Sequence, residues 1–283
     1  MIYLAFVVLR SSEVMAKSFR EIIHEANIAV HRFEAKHYEV IHPEVYNRQE
    51  QERIKAILKV VHKLISDNRM KALDFGAGTG NLTGKLLQMG YNVTAVDIST
   101  EMCNVLKTKY KSFLETGKLL VLNLPMEDIS FDRGEFDLIT CYSVLHHLPD
   151  YVNTIKRLCF YLKKGGVMYF DHEISPFYWK DEQNIAARLV KSIYFHSNPF
   201  LNALYFKIIG LNFPSMDYAL ADYWYRKEHP LDHRKIERVF EEEMFEFFKR
   251  IDYYLKGTWF FNPVFCIYKN LCKPEMSLWI AKK

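Results

Sequence analysis

Lys71-Ala72-Leu73-Asp74-Phe75-Gly76-Ala77-Gly78-Thr79-Gly80-Asn81 is the stretch on which the reading of this chain turns. The apolar run from Met70 to Phe75 predicts a buried parallel strand. Three glycines at alternate positions predict a tight turn, and Asn81 to Gln88 carries a helical pattern. A strand, a glycine turn and a helix start make a place where backbone can approach a ligand closely. Two nucleotide-site motifs fail against it. The phosphate-cradling GxxxxGK[ST] fails because Thr79 stands where its first glycine belongs and Leu86 follows Lys85. The dinucleotide GxGxxG fails because Asn81 replaces its last glycine.

Outward from this turn the chain alternates strands and helices. Tyr91 to Asp97 reads as a second strand ending in an acid, 17 residues after Gly80. That is close to the spacing at which α/β nucleotide folds place a ribose-binding carboxylate, because the neighbouring strand ends beside the first turn. Ser99 caps a predicted helix through Lys111, and Lys118 to Leu124 is a third strand. Phe136 to Cys141 is the fourth, followed by Tyr142-Ser143-Val144-Leu145-His146-His147-Leu148-Pro149. A helix from Asp150 to Lys163 is predicted to stop at Gly165-Gly166, and a fifth strand, Val167 to Phe170, ends in Asp171-His172-Glu173.

The motif Asp-x-Gly-x-Gly-x-Gly, the acid at Asp97 and the VLHHL run resemble the class I S-adenosylmethionine-dependent methyltransferases, of the methyltransferase type 11 kind. The order of motifs matches from residue 50 to residue 173. The resemblance implies an α/β, Rossmann-like fold: a seven-stranded, mostly parallel sheet in the order 3-2-1-4-5-7-6, the last strand antiparallel. It implies S-adenosylmethionine as cofactor, with a free carboxylate at Asp74 suited to a ligand carrying an ammonium and a sulfonium. Gly76, Ala77, Gly78, Gly80 and Asn81 would line the turn, and Asp97, Ile98 and Met102 the ribose and base side. Backbone near Cys141 would receive the ammonium of the methionine part, and Tyr38 would lie against the cofactor.

The family commonly has an acid followed by a small residue after the third strand, and this chain departs from that with Pro125-Met126. Either Glu127 or Asp128 then supplies the acceptor for the adenine amino group, Glu127 being preferred, or apolar contact and the Met126 amide hold the ring alone. His suits a proton acceptor tuned near neutral pH. The candidates are His146, His147 and His172, with Glu173 a carboxylate alternative. Adjacent histidines point to different faces, so His146 and His172 are the two chosen. The spacing of these candidates gives no HxxxH framework, and no metal is expected.

The remaining segments divide the chain into a helical cap over residues 1–66, a cofactor-binding core over 67–173, a lid and substrate insertion over 174–230, and closing elements over 231–283. Ile54, Ile57, Leu58, Val61 and Leu64 form one stripe of a helix between Gln49 and Ile65. Tyr38, His42 and Tyr46 either cap a helix hairpin or close over the cofactor. After residue 171 lie 25 of the 43 aromatic residues, which marks the insertion as aromatic-rich and points to a small, partly apolar acceptor. Oxygen or nitrogen is the expected acceptor atom, with carbon third.

A net charge of +4 over 283 residues is mild and argues for no nucleic-acid partner. Five cysteines without a CxxC pair fit a reducing cytoplasm. Ile2 to Leu9 is too short an apolar run to span a bilayer, and with the second insertion (256–275) it is a candidate homodimer surface. Met15 is an alternative start. An enzyme on RNA or protein, and a non-catalytic cofactor-binding protein, are the competing functions.

Overall fold

The computed structural model describes residues 17–65, 70–179, 220–255 and 268–283. The apolar N-terminal run, Met15, most of the 174–230 insertion and residues 256–267 lie outside them, and with them both candidate dimer surfaces in large part. Seven strands form one sheet: β1 (Lys71–Phe75), β2 (Asn92–Asp97), β3 (Leu119–Asn123), β4 (Phe136–Tyr142), β5 (Leu162–Ile174), β6 (Phe247–Tyr253) and β7 (Met276–Lys282). Their order is β3-β2-β1-β4-β5-β7-β6, as the resemblance implies. The first five pair in parallel, and β7 runs antiparallel to both β5 and β6.

Successive side chains of a strand point to opposite faces, and here the two faces build two cores. Leu73, Ile139 and Met168 pack toward α8 (Tyr151–Tyr161) and α9 (His233–Glu242), against Ile155, Leu158, Val239 and Phe240. Ala72, Leu138 and Val167 face α4 (Arg48–Leu64) and α5 (Asn81–Gln88), meeting Ile54, Leu58, Val61, Leu82 and Leu86. Both faces of the central strands are therefore apolar, as a sheet covered on both sides requires.

The N-terminal region is helical. Before α4 lie α1 (Phe19–Glu34), α2 (Tyr38–Ile41) and α3 (Pro43–Tyr46). Ser18 and Glu21 form a reciprocal capping box at the start of α1, and Asn47 caps α4. Ser99 caps α6 (Thr100–Lys109), which stops two residues earlier than its pattern suggests. There Tyr110 turns inward, donates its hydroxyl to the Gly80 carbonyl at 3.1 Å, and a separate helix α7 (Lys111–Glu115) follows.

The glycine pair at 165–166 is not a helix stop. α8 ends at Tyr161 and β5 begins at once. Phe136 pairs with Leu162 but Leu138 with Val167, so the extra residues of β5 bulge outward. Gly165 takes φ +79° in that bulge and donates its N–H to the Lys283 carbonyl at 2.5 Å.

Candidate functional site

The carboxyl ends of β1, β2 and β4 meet at the glycine turn. Gly76 and Ala77 donate their N–H groups to the Val96 carbonyl at 2.8 and 3.0 Å, which lays the turn over the end of β2. A Cβ on Gly76 would come within 2.3 Å of the Val144 side chain. Gly78 differs: at φ +52° it has no atom within 4 Å of where a Cβ would stand. Its side is open because it faces a cavity.

That cavity is a cleft, partly open to solvent, at the carboxyl ends of the strands. Gly76, Gly78, Asp97, Ile98 and Met102 form one side, Pro125, Met126, Glu127, Leu148 and Thr154 another, and Tyr142, Ser143 and His147 a third. The fourth wall is α1, through His24, Asn27 and His31, with Tyr38 beside them. A smaller space shares Tyr38, Gly76, Gly78 and Tyr142, and is completed by Tyr46, Asp74, Ala77, Thr79 and Asn81.

Asp97 accepts the Gly78 N–H on one oxygen and the Ser99 N–H on the other, each at 2.8 Å. One further lone pair remains on each oxygen, and Asp97 lines the cavity. Burial pushes its carboxyl up, and His31 partly counters that. The apolar surfaces of Ile98, Met102 and Met126 lie next to it around the cavity. Glu127 also lines the cavity and is reached from α1 by Arg20 at 3.4 Å and His24 at 3.8 Å. Asp128 is not among the lining residues.

Other site residues stand differently from their expected roles. Asp74 is not a free carboxylate. It is 2% exposed and accepts hydroxyls from Thr83 at 2.5 Å and Thr140 at 2.8 Å. Burial raises it to about 6, against those hydrogen bonds. Cys141 has its side chain in the core, and the residues that follow it, Tyr142 and Ser143, line the cavity. Gly80 caps α5 in the left-handed conformation and lines neither space, because Tyr110 covers it. Asn81 lines the smaller space; its Oδ1 accepts from Lys85 at 2.6 Å and Gln51 at 3.1 Å. Its Nδ2 is buried with no partner among the described residues.

The two chosen histidines line neither space. His146 and His147 sit in a 3₁₀ turn (Leu145–His147), not at the start of α8, because Pro149 delays the helix. His146 places Nδ1 2.7 Å from Glu173, whose other oxygen accepts the Val144 and Leu145 N–H groups. Burial opposes its charge, but Glu173 outweighs burial and raises the imidazole above its usual range. His172 takes φ +61° and stacks on Tyr142 with ring centroids 4.9 Å apart. Burial lowers it to about 4, so it is neutral near pH 7 and reaches the cavity only through Tyr142, whose hydroxyl is 3.1 Å from its Nδ1.

His147 is the histidine of the pair that lines the cavity. Its Nδ1 stands 2.9 Å from the Ala221 carbonyl. Burial first, then the neighbouring His146, holds it well below the usual imidazole range. The α1 wall, Tyr142 and Ser143 were not singled out by the sequence reading; the apolar stripe of α1 marks a buried face without saying what it covers.

Residues 73–170, about a third of the chain, match the family model described as a methyltransferase domain. A curated relative, the ubiquinone biosynthesis O-methyltransferase of Colwellia psychrerythraea, is 35% identical over 103 residues, 36% of this chain and 41% of that protein. The chain thus matches less than half the length of that relative. Among solved structures, Haemonchus contortus phosphoethanolamine N-methyltransferase 2 superposes with a TM-score of 0.58 at 13% identity, over 96% of this chain and 61% of that one. A methyltransferase of Archaeoglobus fulgidus, described as S-adenosylmethionine-dependent, gives 0.52 at 15% identity, over 87% of this chain and 100% of that one. Identities this low speak for the shared fold alone.

Proposed function

We propose that the chain is an S-adenosylmethionine-dependent enzyme of the class I methyltransferase kind that methylates oxygen or nitrogen, with carbon third, of a small, partly apolar acceptor, a reading supported by the methyltransferase-domain match over residues 73–170 and by the strand order. The observation that carries this reading is the cavity at the glycine turn, with Gly78 open to it and the spare lone pairs of Asp97 beside it. S-Adenosylmethionine fits what is present: a cradle that a Cβ at Gly78 would fill, a carboxylate for vicinal hydroxyls, and an apolar slot for a flat base. When bound, it supplies a methyl group on a sulfonium, open to in-line displacement by the acceptor.

In this reading Asp97 holds the ribose hydroxyls, Ile98, Met102 and Met126 grip the base, and Glu127 accepts from its amino group. Tyr38, Ala77 and Asn81 bound the methionine side. Much of the rate then comes from alignment and exclusion of water. Glu173 fixes the His146 ring, and His172 fixes Tyr142, so both expected catalytic histidines act as positioning residues for the wall around the acceptor.

Asp97→Ala should weaken S-adenosylhomocysteine binding by about tenfold to a hundredfold, the loss of charge-assisted hydrogen bonds amounting to about 1.5–3 kcal/mol. Unchanged affinity in calorimetry would remove Asp97 from the site. The 38–47 segment and the 174–230 insertion act as two lids. The described part of each supports this: Tyr38 lines both spaces, Tyr46 meets Thr79 Oγ1 at 3.1 Å, and Tyr225 lies 5.4 Å from His146, ring to ring. At a ligand concentration about 100 times Kd, hydrogen exchange in residues 38–47 should slow by up to about a hundredfold. Equal exchange with and without ligand would make the segment a structural brace.

The acceptor class is tested by incubating the purified protein with labelled methyl donor and cell extract, with and without nuclease. Label in small, nuclease-insensitive products is expected. Label lost on nuclease treatment, with binding that falls steeply with salt, would favour the RNA reading. Among the described residues no helix is long and apolar enough to cross a membrane. The described cysteines 103, 141 and 159 are buried and free, which supports a reducing, cytoplasmic setting. A homodimer is the oligomer we would look for first.

A further inference from the structure

We propose that His146, His147 and Asp222 form a binding site for one divalent transition cation of the zinc class, next to the cavity that His147 lines. Each residue offers one donor atom, and the three atoms lie within 4.8 Å of one another. His146 Nε2 stands 3.9 Å and His147 Nδ1 3.4 Å from Asp222 Oδ1. Donors about 2.0–2.2 Å from one tetrahedral cation are separated by about 3.3–3.5 Å. Side-chain rotations of at most about 1.5 Å therefore close the set around an ion. Two imidazoles and one carboxylate are a donor set that zinc-class cations favour over magnesium or calcium.

Two further features belong to such a site. Glu173, fully buried, holds His146 Nδ1 at 2.7 Å and is itself anchored by the Val144 and Leu145 N–H groups. That turns Nε2 toward Asp222 before any ion arrives, the carboxylate–histidine support that metal ligands commonly have. The Asp222 side chain is 44% exposed, so an ion has a way in. Binding displaces the His147 contact with the Ala221 carbonyl, whose oxygen is then free to face the ion or its water. Sequence spacing conceals the group, because Asp222 comes from the far end of the insertion.

Three protein donors leave a coordination position open. On the methyl-transfer reading above, an acceptor hydroxyl would bind there and release its proton to solvent as the oxygen binds the cation, which makes it nucleophilic at neutral pH. This takes the place of the general base that neither His146 nor His172 is placed to provide, and it points to hydroxyl-bearing acceptors.

The test is uptake of Zn²⁺ by the full chain after chelator treatment, measured by competition with a chromogenic chelator, with Co²⁺ absorption as a second readout. One equivalent is expected, with a Co²⁺ spectrum lacking thiolate charge transfer, because the four described cysteines are buried elsewhere. Asp222→Asn and His147→Gln should abolish stoichiometric uptake, and Glu173→Gln should weaken it about tenfold to a hundredfold. His62→Gln, whose ring meets Tyr91 instead, should leave it unchanged. Circular dichroism and thermal melts confirm that each variant is folded; Asp222→Asn, half-exposed, is the safest. No uptake by the unaltered chain, or equal uptake in Asp222→Asn and His147→Gln, overturns the site. Cation uptake without S-adenosylhomocysteine binding would uphold the site and remove the cofactor reading; the reverse result would do the opposite.

Discussion

Arg53→Met should lower the unfolding free energy by about 3–5 kcal/mol, the cost of leaving a buried charge without its partner. Arg53 reaches from α4 to Glu50 at 2.5 Å and to Asp171 at 2.8 Å, and its guanidinium lies 4.0 Å from the centre of the Tyr253 ring. The two carboxylates are 3% and 0% exposed, and Arg53 itself only 19%. Removing the cation strands both acids where water cannot reach them. Tyr169 and Tyr253 still donate to Asp171, which softens the loss without cancelling a charge. The effect should extend to the site, because Glu50 also accepts the hydroxyl of the cavity-lining Tyr142 at 2.9 Å. Urea denaturation measures the loss, and the triple variant with Glu50→Gln and Asp171→Asn should recover part of it. A change under about 1 kcal/mol would mean the pair is screened like a surface bridge.

Gly78→Val should abolish S-adenosylhomocysteine binding to beyond the reach of calorimetry while the protein remains folded. A Cβ there meets no protein atom within 4 Å, so the branches of the side chain extend into the space the ligand needs. The cost to the fold is conformational, since φ +52° suits glycine and strains a β-branched residue by about 1–3 kcal/mol. A domain stable by about 5–15 kcal/mol survives that. Gly78→Ala, with less bulk at the same strain, should bind weakly and separate the two effects. A folded Gly78→Val variant that binds normally would place the ligand elsewhere.

The sheet was legible in the sequence because its signals are local. Apolar runs bounded by glycine and acid mark β1 and β2, and Asp97 follows from the geometry of adjacent strand ends. What was not legible depends on partners far along the chain. Asp74 looks free until Thr83 and Thr140 arrive, 9 and 66 residues away. Which of two neighbouring histidines faces the cavity is decided by the 3₁₀ turn, where successive side chains diverge by about 120°. Gly165 and Gly166 carry the same residue signal for a helix stop as for a bulge, and only the β4 register distinguishes them. The α1 wall shows a helical stripe without its partner, and Asp222 joins His146 and His147 only through the path of the insertion.

The most direct test of the cofactor site is a calorimetric titration of the purified chain with S-adenosylhomocysteine, alongside Gly78→Val and Asp97→Ala. One saturable equivalent is predicted for the unaltered chain, with none in Gly78→Val and an affinity at least about tenfold lower in Asp97→Ala. The absence of saturable binding in the unaltered chain, or equal affinity in all three proteins, would contradict a cofactor held at the glycine turn.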